Sequence, residues 1–120
     1  MSLTAAFSAL ALSTAPVPQA DTLADLRPED RADVQCMAMI LFLIGSKDDD
    51  AARAPLTAGA TYYYGRLQGR SPGTDWVNRV MAYVRTEPLE DLEANRSRCA
   101  TEMQTMGAIF VAAGAAAQGG

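Results

Sequence analysis

The stretch Cys36-Met37-Ala38-Met39-Ile40-Leu41-Phe42-Leu43-Ile44, closed by Gly45, dictates what the rest of the chain must do. Consecutive apolar residues over more than two helical turns leave no polar face, so the segment has to be covered on every side. It falls well short of the ~20 residues needed to cross a bilayer, which makes it the central helix of a small core. The covering surface must come from a chain of 120 residues, a length that builds one domain. Aromatic residues are only 7% of the chain while Ala and Met are common, and that balance favours helix over strand.

The flanking residues supply the other helices. Pro28 suits a first helical position, and Glu29, Asp30 and Asp33 place acid at the positive end of the helix dipole. The first helix therefore runs from Pro28 to Gly45, read as a left-handed terminator. Ser46-Lys47-Asp48-Asp49-Asp50 is a polar connection that caps a second helix over 50–68, where Leu56, Ala60, Tyr63 or Tyr64, and Leu67 recur at helical spacing. Pro55 kinks this helix or marks its true start, and Gly69 ends it before the turn Arg70-Ser71-Pro72-Gly73. Thr74 or Asp75 caps a third helix with the stripe Trp76, Val77, Val80, Tyr83 and Val84. Beyond Thr86-Glu87-Pro88, a fourth and longest helix places Leu92, Cys99, Met103, Met106, Phe110 and Ala113 on a near-heptad seam. Gly107 and Gly114, one heptad apart on that helix, leave room for another helix to come close. The expected fold is all-α: a four-helix bundle or an irregular helical array, with residues 25–120 as a single helical domain.

Residues 1–24 read as a signal-peptide remnant or an N-terminal helix or arm. Thr4–Ala15 is small and apolar, and Ala15-Pro16-Val17-Pro18-Gln19-Ala20 fits a small-residue cleavage site. The usual positive leader start is missing, so Met1-Ser2-Leu3 is read as a replacement for a longer one.

Charge narrows the function classes. A net charge of −4 argues against nucleic acid, whose binders carry a basic surface to displace counterions. Acids dominate residues 21–50 and arginines dominate 51–100, so the two halves are expected to pair across the fold. The chain holds no histidine, which removes the commonest general base, metal ligand and near-neutral pH switch together. No cofactor or metal is expected: the adjacent aspartates Asp48, Asp49 and Asp50 lack the alternating ligand spacing of a calcium loop. Glu29, Asp33 or Glu102 could be assembled into a carboxylate pair, but no spacing singles them out. Asn95-Arg96-Ser97 is a glycosylation sequon by pattern only, inside a predicted helix.

Cys36 and Cys99 are the only two cysteines, each on the apolar face of its helix. In an exported chain they predict a disulfide, and in a cytosolic one two buried thiols. There is no Cys-x-x-Cys for a catalytic dithiol. The most distinctive local motif is Thr61-Tyr62-Tyr63-Tyr64-Gly65-Arg66-Leu67. Successive helical residues point about 100° apart, so at least one of the three tyrosines must face outward or into a cleft. Gly65 thins the helix beside them. Tyr62, Tyr63 and Tyr64 with Arg66, Arg70, Arg96 and Arg98 are the candidates for an anion pocket; the alternative is that the rings pack under the Trp76 helix. Met37, Met39, Met81, Met103 and Met106 read as core filling, although methionine-rich surfaces also adapt to partners.

With its leader remnant, two lone cysteines and Tyr64-Gly65-Arg66-Leu67 helix before Trp76, the chain resembles uncharacterised small exported bacterial helical proteins over about residues 28–107. It is also similar in architecture alone to periplasmic acid-stress chaperones, which are small, all-helical and stapled by one disulfide. Cys36 and Cys99 are further apart than that family implies, and no functional residue carries over. These features lead to an expected periplasmic or secreted protein with no transmembrane span in the mature chain. Its expected role is a non-enzymatic binding or interaction module for an unknown protein or small ligand of the cell envelope, with a homodimer through the last helix or the N-terminal arm. The alternatives are a periplasmic stress chaperone and a small enzyme built from carboxylate, tyrosine and arginine.

Overall fold

The computed structural model describes residues 21–119. The described chain is all-α: α1 (Pro28–Gly45), α2 (Asp50–Arg70), α3 (Trp76–Thr86), the single-turn α4 (Leu89–Glu93) and α5 (Arg96–Gly119). As the apolar run requires, α1 is the hub and touches each of the other four helices. Val34, Cys36, Met37, Ala38, Met39 and Ile40 are all buried, and around them pack Leu23, Tyr63, Leu67, Trp76, Val80, Tyr83, Leu92 and Cys99. The expectation of an irregular helical array stapled by one disulfide holds: Cys36 and Cys99 are bonded, with Sγ–Sγ 2.03 Å and Cα–Cα 5.5 Å.

The helix starts follow their predicted chemistry. Pro28 opens α1, and Glu29 and Asp30 occupy its first turn. Asp49 caps α2 by accepting from the Ala52 amide at 2.7 Å, and Asp75 caps α3 by accepting from the Asn78 amide at 3.2 Å. Helix ends depart from expectation in three places. No glycine among the described residues takes a positive φ, so Gly45 is not a left-handed terminator. Instead, α1 closes on Ser46, whose hydroxyl donates to the Leu43 carbonyl at 2.7 Å. Gly69 likewise does not end α2, which runs to Arg70, and Pro55 lies inside the helix, where the hydrogen bond it omits falls in the exposed opening turns.

The third departure splits the predicted fourth helix in two. Ala94 and Asn95 form a turn between α4 and α5. The Asn95 side chain accounts for it: Nδ2 donates to the Asp91 carbonyl at 3.2 Å, and Oδ1 accepts from Arg98 at 3.3 Å. A short amide side chain that bonds the local backbone competes with the helix ladder. The Asn95 carbonyl then starts α5 by accepting from the Cys99 amide at 3.0 Å.

Ahead of α1, the turns of 21–27 are fastened to the globule. Leu23 is 1% exposed, so the packed unit takes in residues before 25. Arg31 pairs with Asp21 at 2.7 Å, and Arg79 bonds Asp25 and the Thr22 carbonyl. The hydrogen bond from Arg79 holds the Asp25 carboxyl below its ordinary range. Most of the N-terminal arm or leader remnant lies outside the described residues.

The close helix approach occurs at Gly59, a position not singled out above. A side chain there would meet the Met103 sulfur and press on Ile40, so the Met103 side chain rests against α2 in space that the glycine leaves free. Nothing stands within 4 Å of a Cβ placed on Gly65, Gly107 or Gly114. Those three leave open space and touch no neighbouring helix.

Candidate functional site

The three consecutive tyrosines of α2 fan out as the helix angle demands. Tyr63 is fully buried, Tyr62 is half-buried, and Tyr64 is 38% exposed on the opposite side. The Tyr63 hydroxyl donates to Glu102 Oε2 at 2.9 Å and lies 3.3 Å from the Cys99 carbonyl, tying α2 to the base of α5. Tyr62 stacks edge-on against Tyr63 at 5.0 Å between centroids. Arg66 lies 5.4 Å from the Tyr62 ring centre and donates to its hydroxyl at 2.8 Å.

The arginines predicted to frame an anion pocket are held by the protein's own oxygens. Arg70 donates to Asp30 at 2.7 Å and also to Asp33, while Arg66 pairs with Asp33 at 3.1 Å. Asp30 and Asp33 are 4% and 1% exposed, so both carboxylates are sealed under the guanidinium groups. Arg98 reaches the Ala32 carbonyl, Gln35 and Glu102, and Arg96 pairs with Glu93 at 2.8 Å on the outer surface. Tyr62, Tyr63, Arg66 and Arg70 therefore share one region, whereas Tyr64 and Arg96 stand apart from it. The acid-rich first half and arginine-rich second half do pair across the fold, at α1 with α2 and at 21–27 with α3. Every buried side-chain nitrogen and oxygen among the described residues has a partner, so the buried part of this network is satisfied from within the fold.

Tyr63 carries a pH signature. Burial first, and then the hydrogen bond to Glu102, push its hydroxyl well above the ordinary tyrosine value. Tyr83 is shifted the same way, by burial and by Glu87. The folded protein therefore keeps these protons where the unfolded chain, titrating near ~10, has lost them. Their stabilisation is complete below about pH 10 and is lost as pH rises above it, at up to about 1.4 kcal/mol per pH unit for each proton. Tyr63→Phe is expected to cost about 1 kcal/mol at neutral pH through the lost hydrogen bond. It should also reduce the fall in unfolding free energy above pH 10. Denaturant titrations from pH 7 to 12 check both, and an unchanged alkaline slope would show that Tyr63 does not hold its proton.

The open surface lies elsewhere and is apolar. A groove of about 230 Å3 runs between the first half of α2 and the middle of α5, lined by Pro55, Ala58, Gly59 and Tyr62 on one wall and Met103, Met106, Gly107 and Phe110 on the other. A second, shallow hollow of about 220 Å3, between α1 and α2, is lined by Met37, Leu41, Ile44 and Tyr64, among others, with Val77 of α3 at its border. Beyond the first groove, α5 continues with every residue from Gly107 to Gln118 exposed. Ile109, Phe110 and Val111 are 56%, 66% and 75% exposed on it. The predicted seam thus serves the core only from Leu92 to Cys99, with Met103 at its edge. No group of three or more potential metal ligands occurs among the described residues, and none of their helices is long and apolar enough to cross a membrane. No protein-family model matches the chain, and no curated protein or solved structure is similar to it.

Proposed function

We propose that the protein is a non-enzymatic interaction module of an oxidising compartment, the periplasm or the extracellular space, and that its α2–α5 groove receives an apolar helix. The observation that carries this is the exposed apolar wall of the groove, continued by the bare end of α5. An uncapped apolar surface of this kind is costly in water and marks an interaction site. The shape suits the helix-in-groove mode, in which the apolar face of one helix lies between two others. The polar chemistry supports a binding role in a different way. Tyr62, Tyr63, Arg66, Arg70, Asp30, Asp33 and Glu102 bond one another inside the fold, in the manner of a scaffold. The Cys36–Cys99 bond supports the exported address, because such bonds persist where thiols are not kept reduced.

The test uses 1-anilinonaphthalene-8-sulfonate, a dye that brightens in apolar clefts. Across a dilution series, the folded protein should enhance its fluorescence at low protein concentration. Met106→Glu should remove most of that enhancement while leaving the thermal transition in place, since Met106 is on the groove wall and outside the core. A folded wild type that gives no enhancement at any dilution would overturn the proposal.

A further inference from the structure

We infer that the helix lying in the α2–α5 groove is α5 of a second copy of this chain, so that two molecules embrace through antiparallel C-terminal helices. This rests on the groove being a binding face, as argued above, and names its occupant.

Charge restricts the candidates first. From Met103 to Gly120 the chain has no Asp, Glu, Lys or Arg, although the whole carries a net −4. A helix that lies on an anionic lipid surface needs a basic polar face, and α5 has none. A charged peptide would find no counter-charge on this segment. The complementary partner is therefore itself an uncharged apolar helix, and the chain carries one. Self-pairing here also keeps the acidic bodies of two copies from meeting through charged surface.

Shape selects the register. The bare part of α5, Gly107–Gly119, is about 20 Å long. With a two-fold axis between Ala108 and Ile109, an antiparallel copy sets Phe110 over the partner's Gly107 and Gly107 under the partner's Phe110. In the same register, Met106 faces the partner's Val111 and Met103 faces the partner's Gly114. Large side chains thus meet glycines whose surroundings are open, with nothing within 4 Å of a Cβ at Gly107 or Gly114. Such a contact is isologous and closes after two copies. The remaining turns of the partner's helix, Ala-Ala-Gly-Ala-Ala-Ala over 112–117, then run along Ala58, Gly59 and Tyr62. Small side chains suit that narrow space, because they let helix backbones approach closely.

Sedimentation equilibrium on the full chain, with its disulfide intact, tests this. The wild type is expected to move from a one-chain mass to a two-chain mass as concentration rises and to go no higher. Phe110→Asp should hold the protein at one chain over the same range, with an unchanged thermal transition because Phe110 contributes little to the core. Gly107→Leu, which fills the space for the opposing ring, should weaken association at least 10-fold. A wild type of one-chain mass at every concentration overturns the inference, as does a dimer that survives Phe110→Asp. Dye enhancement separates the two proposals. A monomer that still binds the dye leaves the groove as a binding face without this occupant, whereas a monomer that binds none removes both.

Discussion

Cys36→Ala combined with Cys99→Ala is expected to lower the unfolding free energy by about 4 kcal/mol, the largest single effect in this protein. The bond closes a loop with a sequence separation of 63, and a cross-link of that span strips conformational entropy from the unfolded chain. A domain of this size is stable by only ~5–15 kcal/mol in total. The thermal midpoint should fall by about 20 °C in consequence. The double variant is preferable to either single one, because a lone thiol could pair between molecules. Far-ultraviolet circular dichroism against temperature, beside the intact protein, gives the answer. A midpoint within a few degrees of wild type would mean that helix packing alone holds α5 on α1.

Arg70→Ala is expected to cost about 3 kcal/mol. Arg70 is the shared partner of Asp30 and Asp33, which are 4% and 1% exposed, and removing one member of a buried pair leaves an uncompensated charge. Two features limit the loss. Asp33 retains Arg66 at 3.1 Å, and Asp30 retains the more exposed Arg27 at 3.4 Å. Arg70→Lys should recover only part of the loss, since an ammonium group cannot fork to two carboxylates as a guanidinium does. Asp30→Asn placed on the Arg70→Ala background should restore stability, whereas on the wild type it should destabilise. That reversal, read from urea midpoints, identifies charge as the cause; losses that simply add would point to packing instead.

What could be read from the chain follows from the range of each interaction. The start of α1 is local chemistry, as are the caps at Asp49 and Asp75 and the fan of Tyr62–Tyr64, and all were legible. The apolar run was enough to anticipate the central helix, whereas the staple was anticipated only by reading the two lone cysteines together with an exported address, since two buried thiols would sit on the same apolar faces. The Asp30–Arg70 and Asp33–Arg66 contacts were not, because they join residues more than thirty positions apart and depend on how α1 crosses α2. Asp33 read as an acid suited to a helix start, yet it is sealed inside the fold. Gly59 resembled any other glycine, and only the tertiary packing distinguishes it from Gly65. The break at Ala94-Asn95 was hidden because the seam resumes in phase on its far side. The α2–α5 groove was only half visible: the Met103–Phe110 wall stood out as a stripe, but Pro55, Ala58, Gly59 and Tyr62 lie in a stretch where almost every position is small or apolar, so their shared face does not stand out.

The burial of the sulfur pair has a kinetic side. Cys36 and Cys99 are 0% and 2% exposed, so a reducing thiolate has no line of attack on either atom while α5 sits down on α1. Cleavage must wait for that base to lift. The bond thus acts as a latch opened only from within, and how long it survives in a reductant measures how seldom the molecule breathes.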